Sequence, residues 1–206
     1  MSENTVDNPG LRLRASYHHV NRVDEVNFGF WVFLMSDAII FGLMFATYAS
    51  MQHAMAGGPG PKQLFDIGSV AIQTGALLLS SVVYGMASLA MKYDAGRRSV
   101  IAWLVTTLLL GVTFLGFEVH DFLTMFARGG SPDRSGFTSA FFGLVPLHGL
   151  HVTSGCLWMV VLIVQMLRYG IDDDVRLGVQ RLALFWHFLD IVWIVIFSLV
   201  YLGGLA

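Results

Sequence analysis

Residues 182–203 have the sequence LALFWHFLDIVWIVIFSLVYLG, an apolar run that contains one formal charge, at Asp190. Such a run predicts a transmembrane helix, because about 30 Å of hydrocarbon requires about 20 apolar residues at a rise of about 1.5 Å each. A charged side chain near the middle of a bilayer costs roughly 2.5 to 3.5 kcal/mol. Asp190, and His187 three residues before it, therefore need partners or a function.

The composition of the whole chain agrees with a membrane protein. Of its 206 residues 55% are hydrophobic and 13% are charged, and the mean hydropathy is +0.66. An ordinary soluble domain has about 25% charged residues. The formal net charge is −2, and no run of basic residues is longer than Arg97-Arg98. The sequence therefore offers no basic surface for nucleic acid.

The single cysteine and the N-terminal segment exclude two further classes. Cys156 lies in an apolar run, so a disulfide within the chain and c-type haem attachment are both excluded. Residues 1–27 are polar and lack the basic start, apolar core and small-residue cleavage site of a signal peptide. We therefore expect the first spanning helix to direct its own insertion.

Four more apolar runs complete an all-α bundle of five transmembrane helices within residues 28–206, after a polar cytoplasmic tail at residues 1–27. Short linkers rich in Gly, Pro and Asp separate the runs, and such clusters end helices. Glu118, His120 and Asp121 are expected just past the end of the third helix. The predicted spans are about 28–51, 67–91, 100–118, 138–167 and 182–203.

The distribution of Lys and Arg predicts the orientation. The cytoplasmic side of a membrane protein carries the excess of these residues. The N-terminal tail and the second and fourth loops hold Arg12, Arg14, Arg22, Lys92, Arg97, Arg98, Arg168, Arg176 and Arg181. The opposite loops hold only Lys62, Arg128 and Arg134. We therefore expect a cytoplasmic N-terminus and an external C-terminus.

Six ionisable residues are expected at or near membrane depth, and they form two groups. Residues three apart share a helical face, so His148 with His151, and His187 with Asp190, each form a polar patch aimed at a neighbouring helix. Depths estimated from the orientation place Asp37, His187 and Asp190 nearer the cytoplasm, and Glu118 and His148 nearer the outside. His151 is assigned to neither group. The full set is Asp37, Glu118, His148, His151, His187 and Asp190.

Three interpretations of these residues remain open. In the first, histidine–carboxylate hydrogen bonds hold helices together, at about 0.6 kcal/mol per contact on average. In the second, Asp37 or the His187–Asp190 pair belongs to a proton path, because a desolvated carboxylate beside histidine can titrate near neutrality. In the third, histidines bind a metal or haem, but H-x-x-H alone is a weak pattern and no such site is complete.

Trp186 and Trp193 are seven residues apart on the face that carries Asp190. This spacing is typical of packing or of interfacial anchoring. For the His187–Asp190 pair we expect hydrogen bonds to the first or fourth span, with Asp37 as a candidate partner.

Three stretches, in this order, resemble subunit III of the haem–copper terminal oxidases: FGFWVFLMSDAIIFGLMFATY, PDRSGFTSAFFGLVPLHGLHVTSG and LFWHFLDIVWIVIFSLVYL. Within that superfamily the chain most resembles the five-helix subunit III of the bo-type bacterial ubiquinol oxidases, and the PDRSGF loop indicates the quinol branch. The resemblance extends over nearly the whole chain from Phe28 to Leu202.

The resemblance implies a subunit of the bacterial plasma (inner) membrane that has no catalytic residue, cofactor or metal of its own. In this family the haems and copper belong to subunit I, which would be the main partner beside other oxidase subunits and membrane lipids. Subunit III is thought to support the stability and proton uptake of subunit I and to hold phospholipid in a cleft. Asp37 matches the place of a membrane-embedded glutamate in the seven-helix members.

Two departures from the seven-helix pattern affect these expectations. The chain lacks the two helices that form one wall of the lipid cleft, and Asp37 is one methylene shorter than glutamate. The function expected is thus a non-redox subunit of a proton-translocating quinol oxidase in aerobic electron transport. The alternatives are subunit III of a cytochrome c oxidase, a small membrane transporter and a haem-carrying redox subunit.

Overall fold

The computed structural model describes residues 9–55, 67–131, 133 and 135–205, and every regular element in this part of the chain is a helix. Five helices are long and apolar enough to cross a membrane, which confirms the predicted fold class. They are α1 (Pro9–Met51), α2 (Ile67–Lys92), α3 (Arg97–Ala127), α4 (Gly136–Tyr169) and α5 (Asp173–Ile196). A π-helical segment, Phe197–Leu202, continues α5, and a last short turn spans Gly203–Leu205.

Some of the predictions concern residues outside the described part. These are residues 1–8 of the tail, the basic residues Lys62 and Arg134, Pro132 of the PDRSGF loop, and the side chains of Arg12, Arg14 and Arg22. From Pro9 onward the predicted tail is helical and continuous with the first span.

Helix α3 is longer than the predicted span and contains Glu118, His120 and Asp121, which do not lie past its end as expected. The helix ends in a glycine turn: Gly129 has φ 80°, and the Gly130 amide donates to the Met125 carbonyl at 3.0 Å. This pattern satisfies carbonyls at a helix end and favours glycine at the left-handed position. The stop therefore lies at Gly129, and the carboxylates before it are part of the helix.

Helix α5 begins at Asp173, well before residue 182, so most of the predicted fourth linker is helical. The Asp172 side chain caps the helix by accepting a hydrogen bond from the Val175 amide at 2.9 Å. Asp173 and Asp174 occupy the first turn, where negative charge interacts favourably with the helix dipole. An aspartate run that would interrupt a helix elsewhere thus starts this one.

Helix α4 begins with a reciprocal cap between Ser135 and Thr138. The Ser135 hydroxyl accepts from the Thr138 amide, and the Thr138 hydroxyl accepts from the Ser135 amide, both at 3.1 Å. The stretch FTSA therefore extends the helix. Pro146 lies inside α4, which runs on to Tyr169.

Contacts divide the chain within α1: one unit ends at Ala38 and the other begins at Ile39. In the second unit α2 packs against α3 and α5, and α4 also packs against α3 and α5. The four helices therefore enclose a common core, to which α5 contributes Trp186 and Trp193, exposed by 1% and 0%. These tryptophans are packing residues, and neither is an interfacial anchor.

Trp186 connects three helices through one side chain. Its indole nitrogen donates to the Ser80 hydroxyl of α2 at 2.9 Å. Its ring lies where a β-carbon on Gly111 of α3 would be 2.8 Å away and one on Gly155 of α4 would be 3.2 Å away. The two glycines make room for the indole between α3 and α4.

Candidate functional site

The polar residues buried at membrane depth form the candidate site, and His187 with Asp190 is its most exposed part. His187 Nδ1 shares a hydrogen bond of 2.6 Å with the Ser81 hydroxyl of α2. The nearer Asp190 oxygen is 3.7 Å from the same nitrogen. The His187 side chain is 46% exposed, whereas that of Asp190 is 7% exposed. The pair therefore lies at the junction of α2 and α5, with the carboxylate inside.

This geometry corrects the expected partner of His187. We expected a bond to the first or fourth span, and that prediction is wrong for His187, which bonds to α2. The reason is the packing order, because α5 lies against α2 as well as α4 and the face with His187 is turned towards α2. Asp37 is also buried, but it lies in the unit that ends at Ala38. Its pairing with Asp190 stays a prediction.

Glu118 lies against the H-G-L-H turn of α4. A β-carbon on Gly149 would be 2.7 Å from each Glu118 carboxylate oxygen, so the carboxylate packs directly on that glycine. Glu118 is 4% exposed, and its Oε1 has no hydrogen-bond partner among the described residues. The contact brings Glu118 beside the residue that follows His148. The grouping of these two residues by depth stays a prediction.

His148 is enclosed by aromatic rings. It is 0% exposed, stacks on Trp193 with ring centroids 5.3 Å apart, and meets the edge of Phe114 at 5.9 Å. Neither ring nitrogen has a hydrogen-bond partner within the described residues. An imidazole without a partner in an apolar site is least costly when it is neutral. His148 is therefore a packing residue of the core in this arrangement.

His151, one turn further along α4, is satisfied by its own helix. Its Nδ1 donates to the Leu147 carbonyl at 2.8 Å. Its ring lies 5.1 Å from that of Phe41 and 6.4 Å from that of Phe185. The two histidines of the H-x-x-H pair thus have different surroundings, and this arrangement gives no support to a shared metal.

The structure also contains a polar cluster that the sequence analysis missed. Asp121 of α3 accepts hydrogen bonds from Ser69 at 2.9 and 3.0 Å and from the Gln73 amide at 2.5 Å, both on α2. Ser69 and Gln73 are four residues apart, so they share one face of an apolar span that has no charged residue before Lys92. This shared polar face is the sequence signal that could have indicated the cluster. It was missed because Asp121 was assigned to a loop.

No group of three or more His, Cys, Asp or Glu side chains within the described ranges could hold a metal ion. Five of the six predicted residues, all but Asp37, are instead distributed among separate sites. His187 and Asp190 lie at the α2–α5 junction, Glu118 lies at the α3–α4 contact, and His148 and His151 face different surroundings.

Comparison with known proteins identifies the family. Residues 13–205 match the model of the family described as cytochrome c oxidase subunit III. The chain belongs to this family. The match confirms the resemblance that the three sequence stretches indicated.

Relatives of this subunit III chain are named as quinol oxidase subunits. It is 47% identical over 177 residues to cytochrome bo(3) ubiquinol oxidase subunit 3 of Pseudomonas aeruginosa, covering 86% of this chain and 84% of that one. It is 40% identical to quinol oxidase subunit 3 of Bacillus spizizenii, covering 86% and 87%. It is 34% identical to cytochrome bo(3) ubiquinol oxidase subunit 3 of Buchnera aphidicola from Acyrthosiphon pisum, covering 99% of both.

Proposed function

We propose that this chain is the subunit III of a proton-translocating bo-type oxidase that transfers electrons from quinol to oxygen. The observation that carries the proposal is identity of 34 to 47% with proteins named as ubiquinol oxidase subunit 3, over most of each chain. Membership of the family implies a complex with other oxidase subunits. The oxidase activity thus belongs to the complex.

In this proposal the chain itself is non-catalytic, and subunit I carries the haems and copper and is the main contact. The buried histidines and carboxylates act as interhelical structure that stabilises the subunit. This role is supported by the contacts of His187 with Ser81 and of Glu118 with Gly149, which join neighbouring helices. Support of proton uptake by subunit I, and contact with membrane lipids, belong to the same proposal.

The test is purification in a mild detergent through a tag on this chain. The measurements are a reduced-minus-oxidised spectrum, mass identification of the copurifying chains, and oxygen consumption with quinol or reduced cytochrome c. Haem bands that arrive only with a larger multi-span partner, and oxidation of quinol, support the proposal. Oxidation of reduced cytochrome c, without oxidation of quinol, would show that cytochrome c is the electron donor of the complex. A chain that is coloured alone, or one that transports solute alone, would contradict it.

We further propose that the chain lies in the bacterial plasma (inner) membrane with its N-terminus in the cytoplasm. The excess of Lys and Arg in alternate loops supports this orientation. Alkaline phosphatase fused to the C-terminus should be active, since this enzyme folds only outside the cytoplasm. A fusion in the loop between α2 and α3 should be inactive, and the reverse pattern would invert the topology.

A further inference from the structure

Glu118 is a buried carboxyl that no positive charge balances. It is 4% exposed, its Oε1 accepts no hydrogen bond from the described residues, and no Lys or Arg among them forms an ion pair with it. An ionised carboxylate without a partner is far more costly to bury than a neutral acid. The side chain is therefore least costly in this site when it holds a proton.

The groups that face Glu118 from the neighbouring elements do not supply a positive charge either. On α4 the carboxyl lies against Gly149, and the ring nitrogens of the adjacent His148 have no partner among the described residues. Tyr201 of the π-helical segment is close enough for the Glu118 charge to act on it, and a phenol is ordinarily neutral at physiological pH. On α3 itself, the charge that acts on Glu118 is that of Asp121, which is also negative.

Asp121 lies one turn after Glu118 and has the hydrogen bonds that Glu118 lacks. Its oxygens accept from Ser69 and Gln73 of α2, neither of which is titratable. These donors match an ionised carboxylate, which can only accept. Residues three apart on a helix face have β-carbons about 5 to 6 Å apart, so the two carboxyls are neighbours. Since neighbouring carboxylates do not both ionise readily, Asp121 carries the charge and Glu118 carries the proton.

A cavity of about 330 Å³ connects Asp121 with the end of the bundle. Its polar wall is formed by Ser69, His120, Asp121, Thr124 and Arg128, of which His120 and Arg128 are exposed. The cavity is large enough for several water molecules, each of which needs at least about 10 to 15 Å³. It lies where α2 begins and α3 ends, which is the outer side in the orientation proposed above. Asp121 lines this cavity and Glu118 does not, so a proton from the cavity reaches Glu118 by way of Asp121.

We propose that Glu118 is a proton-binding site that exchanges its proton with the outer solution through Asp121 and this cavity. One proton passes from the solution to the Asp121 carboxylate and then to the Glu118 carboxylate, which becomes neutral, and it returns by the same route. The exchange makes and breaks only O–H bonds, so it needs no redox partner. Only the side of the membrane rests on the proposed orientation, and the site itself is independent of the proposed oxidase activity.

Infrared spectroscopy tests whether Glu118 holds a proton. The sample is the protein purified in mild detergent through a tag on this chain, with the subunits that accompany it. A neutral carboxylic acid has a C=O stretching band that an ionised carboxylate lacks and that shifts when deuterium replaces the proton. At neutral pH the difference between wild type and Glu118→Gln should contain one such band. Recovery of Glu118→Gln should be near that of the wild type, because glutamine imitates the neutral acid. Absence of the band, or loss of the Glu118→Gln subunit, would show that the site needs an ionised carboxylate and would overturn the proposal.

The part of Asp121 in the route is tested by the rate at which this band shifts after transfer to D₂O. Asp121→Asn keeps an acceptor for the Gln73 amide but cannot carry the proton, so it should slow the shift several-fold. Asp94→Asn, at an aspartate that is 76% exposed, is the matched control and should leave the rate unchanged. Equal rates in the wild type and both variants would remove Asp121 from the route.

A second pair of variants tests the cavity without changing a charge. Thr124→Leu places a larger apolar side chain in the cavity, and Thr113→Leu makes the same change at an exposed position of the same helix. The two hydroxyls donate to carbonyls of their own helix, at His120 and Leu109, so neither change breaks a hydrogen bond between helices. Thr124→Leu should slow the shift several-fold relative to Thr113→Leu. A shift that is equally fast in both variants would contradict the route through the cavity.

Discussion

The ring of Trp186 occupies the space that a side chain on Gly111 would need. A β-carbon at Gly111 would lie 2.8 Å from Trp186 Cη2, 3.1 Å from Cζ2 and 3.2 Å from the Cys156 sulfur. Because the indole is rigid and also bonded to Ser80, it has little freedom to move aside. This single contact fixes how closely α3, α4 and α5 approach one another.

We predict that Gly111→Ala destabilises the subunit by about 1 to 3 kcal/mol, because the added methyl overpacks a rigid core. Gly116→Ala is the matched control on the same helix, since a β-carbon there meets no atom within 4 Å. The measurement is the temperature at which this chain dissociates from the purified oxidase. Equal dissociation temperatures for the two variants would mean that Trp186 does not occupy the described position.

The contact between Gly149 and Glu118 makes a second prediction. Gly149→Ala should destabilise the subunit by at least about 1 kcal/mol, because the methyl would meet both carboxylate oxygens at 2.7 Å and the displaced carboxylate has no exposed place to go. Combining Gly149→Ala with Glu118→Ala should relieve the clash, giving a non-additive effect of about 0.5 to 3 kcal/mol. Strictly additive dissociation temperatures would show that the two residues are not in contact.

The number of spans follows from the sequence, whereas their ends do not. A count of apolar residues ends a predicted span at the first charged residue. The helix itself continues where that charged side chain has a hydrogen-bonding partner. Asp121 is such a case, because Ser69 and Gln73 on α2 hydrogen-bond to its carboxylate. Asp172 is another, since its capping bond starts α5 inside a stretch that was assigned to a linker. Both effects depend on geometry that hydropathy does not contain.

The pairing of polar residues shows the same limit. The spacing of His187 and Asp190 placed them on one face, and the structure brings the two side chains to 3.7 Å. The sequence does not predict which residue His187 hydrogen-bonds to, because that depends on which helices are adjacent in space. His187 therefore bonds to Ser81, a residue that no sequence pattern distinguished from the other serines of α2.

The cluster at Asp121 makes a third prediction. Asp121→Leu should cost about 1 to 3 kcal/mol, because it leaves the buried Gln73 amide, which is 1% exposed, with only the longer bond of 3.3 Å to the Ser69 hydroxyl. Asp121→Asn keeps an acceptor oxygen and should cost less. The double variant with Gln73→Leu should recover much of the loss, since both polar partners are then replaced. Dissociation temperatures of the four proteins measure this, and a double variant less stable than Asp121→Leu would contradict it.

The salt bridge between Arg176 and Asp94 makes a fourth prediction, of a small effect. The ion pair is 2.8 Å long, but its side chains are 41% and 76% exposed. Exposed pairs contribute about 0 to 1 kcal/mol and are screened by salt. Arg176→Ala should therefore change the dissociation temperature by little, and less still at high salt. A large loss that persists in high salt would show that this contact is shielded from solvent in the complex.

Asp190 separates the structural interpretation of the buried polar residues from the proton-path interpretation. If its carboxylate joins helices, Asp190→Leu should reduce the amount of subunit in the purified complex several-fold, while turnover of each intact complex stays within about twofold. In that case the carboxylate, which is 7% exposed and 3.7 Å from His187 Nδ1, acts on the α2–α5 junction through the histidine that bonds to Ser81 of α2. Asp190→Asn, of nearly the same shape, should retain more subunit. If instead assembly is intact and turnover is lost in both variants, the acidic proton itself is needed, and Asp190 belongs to a proton path.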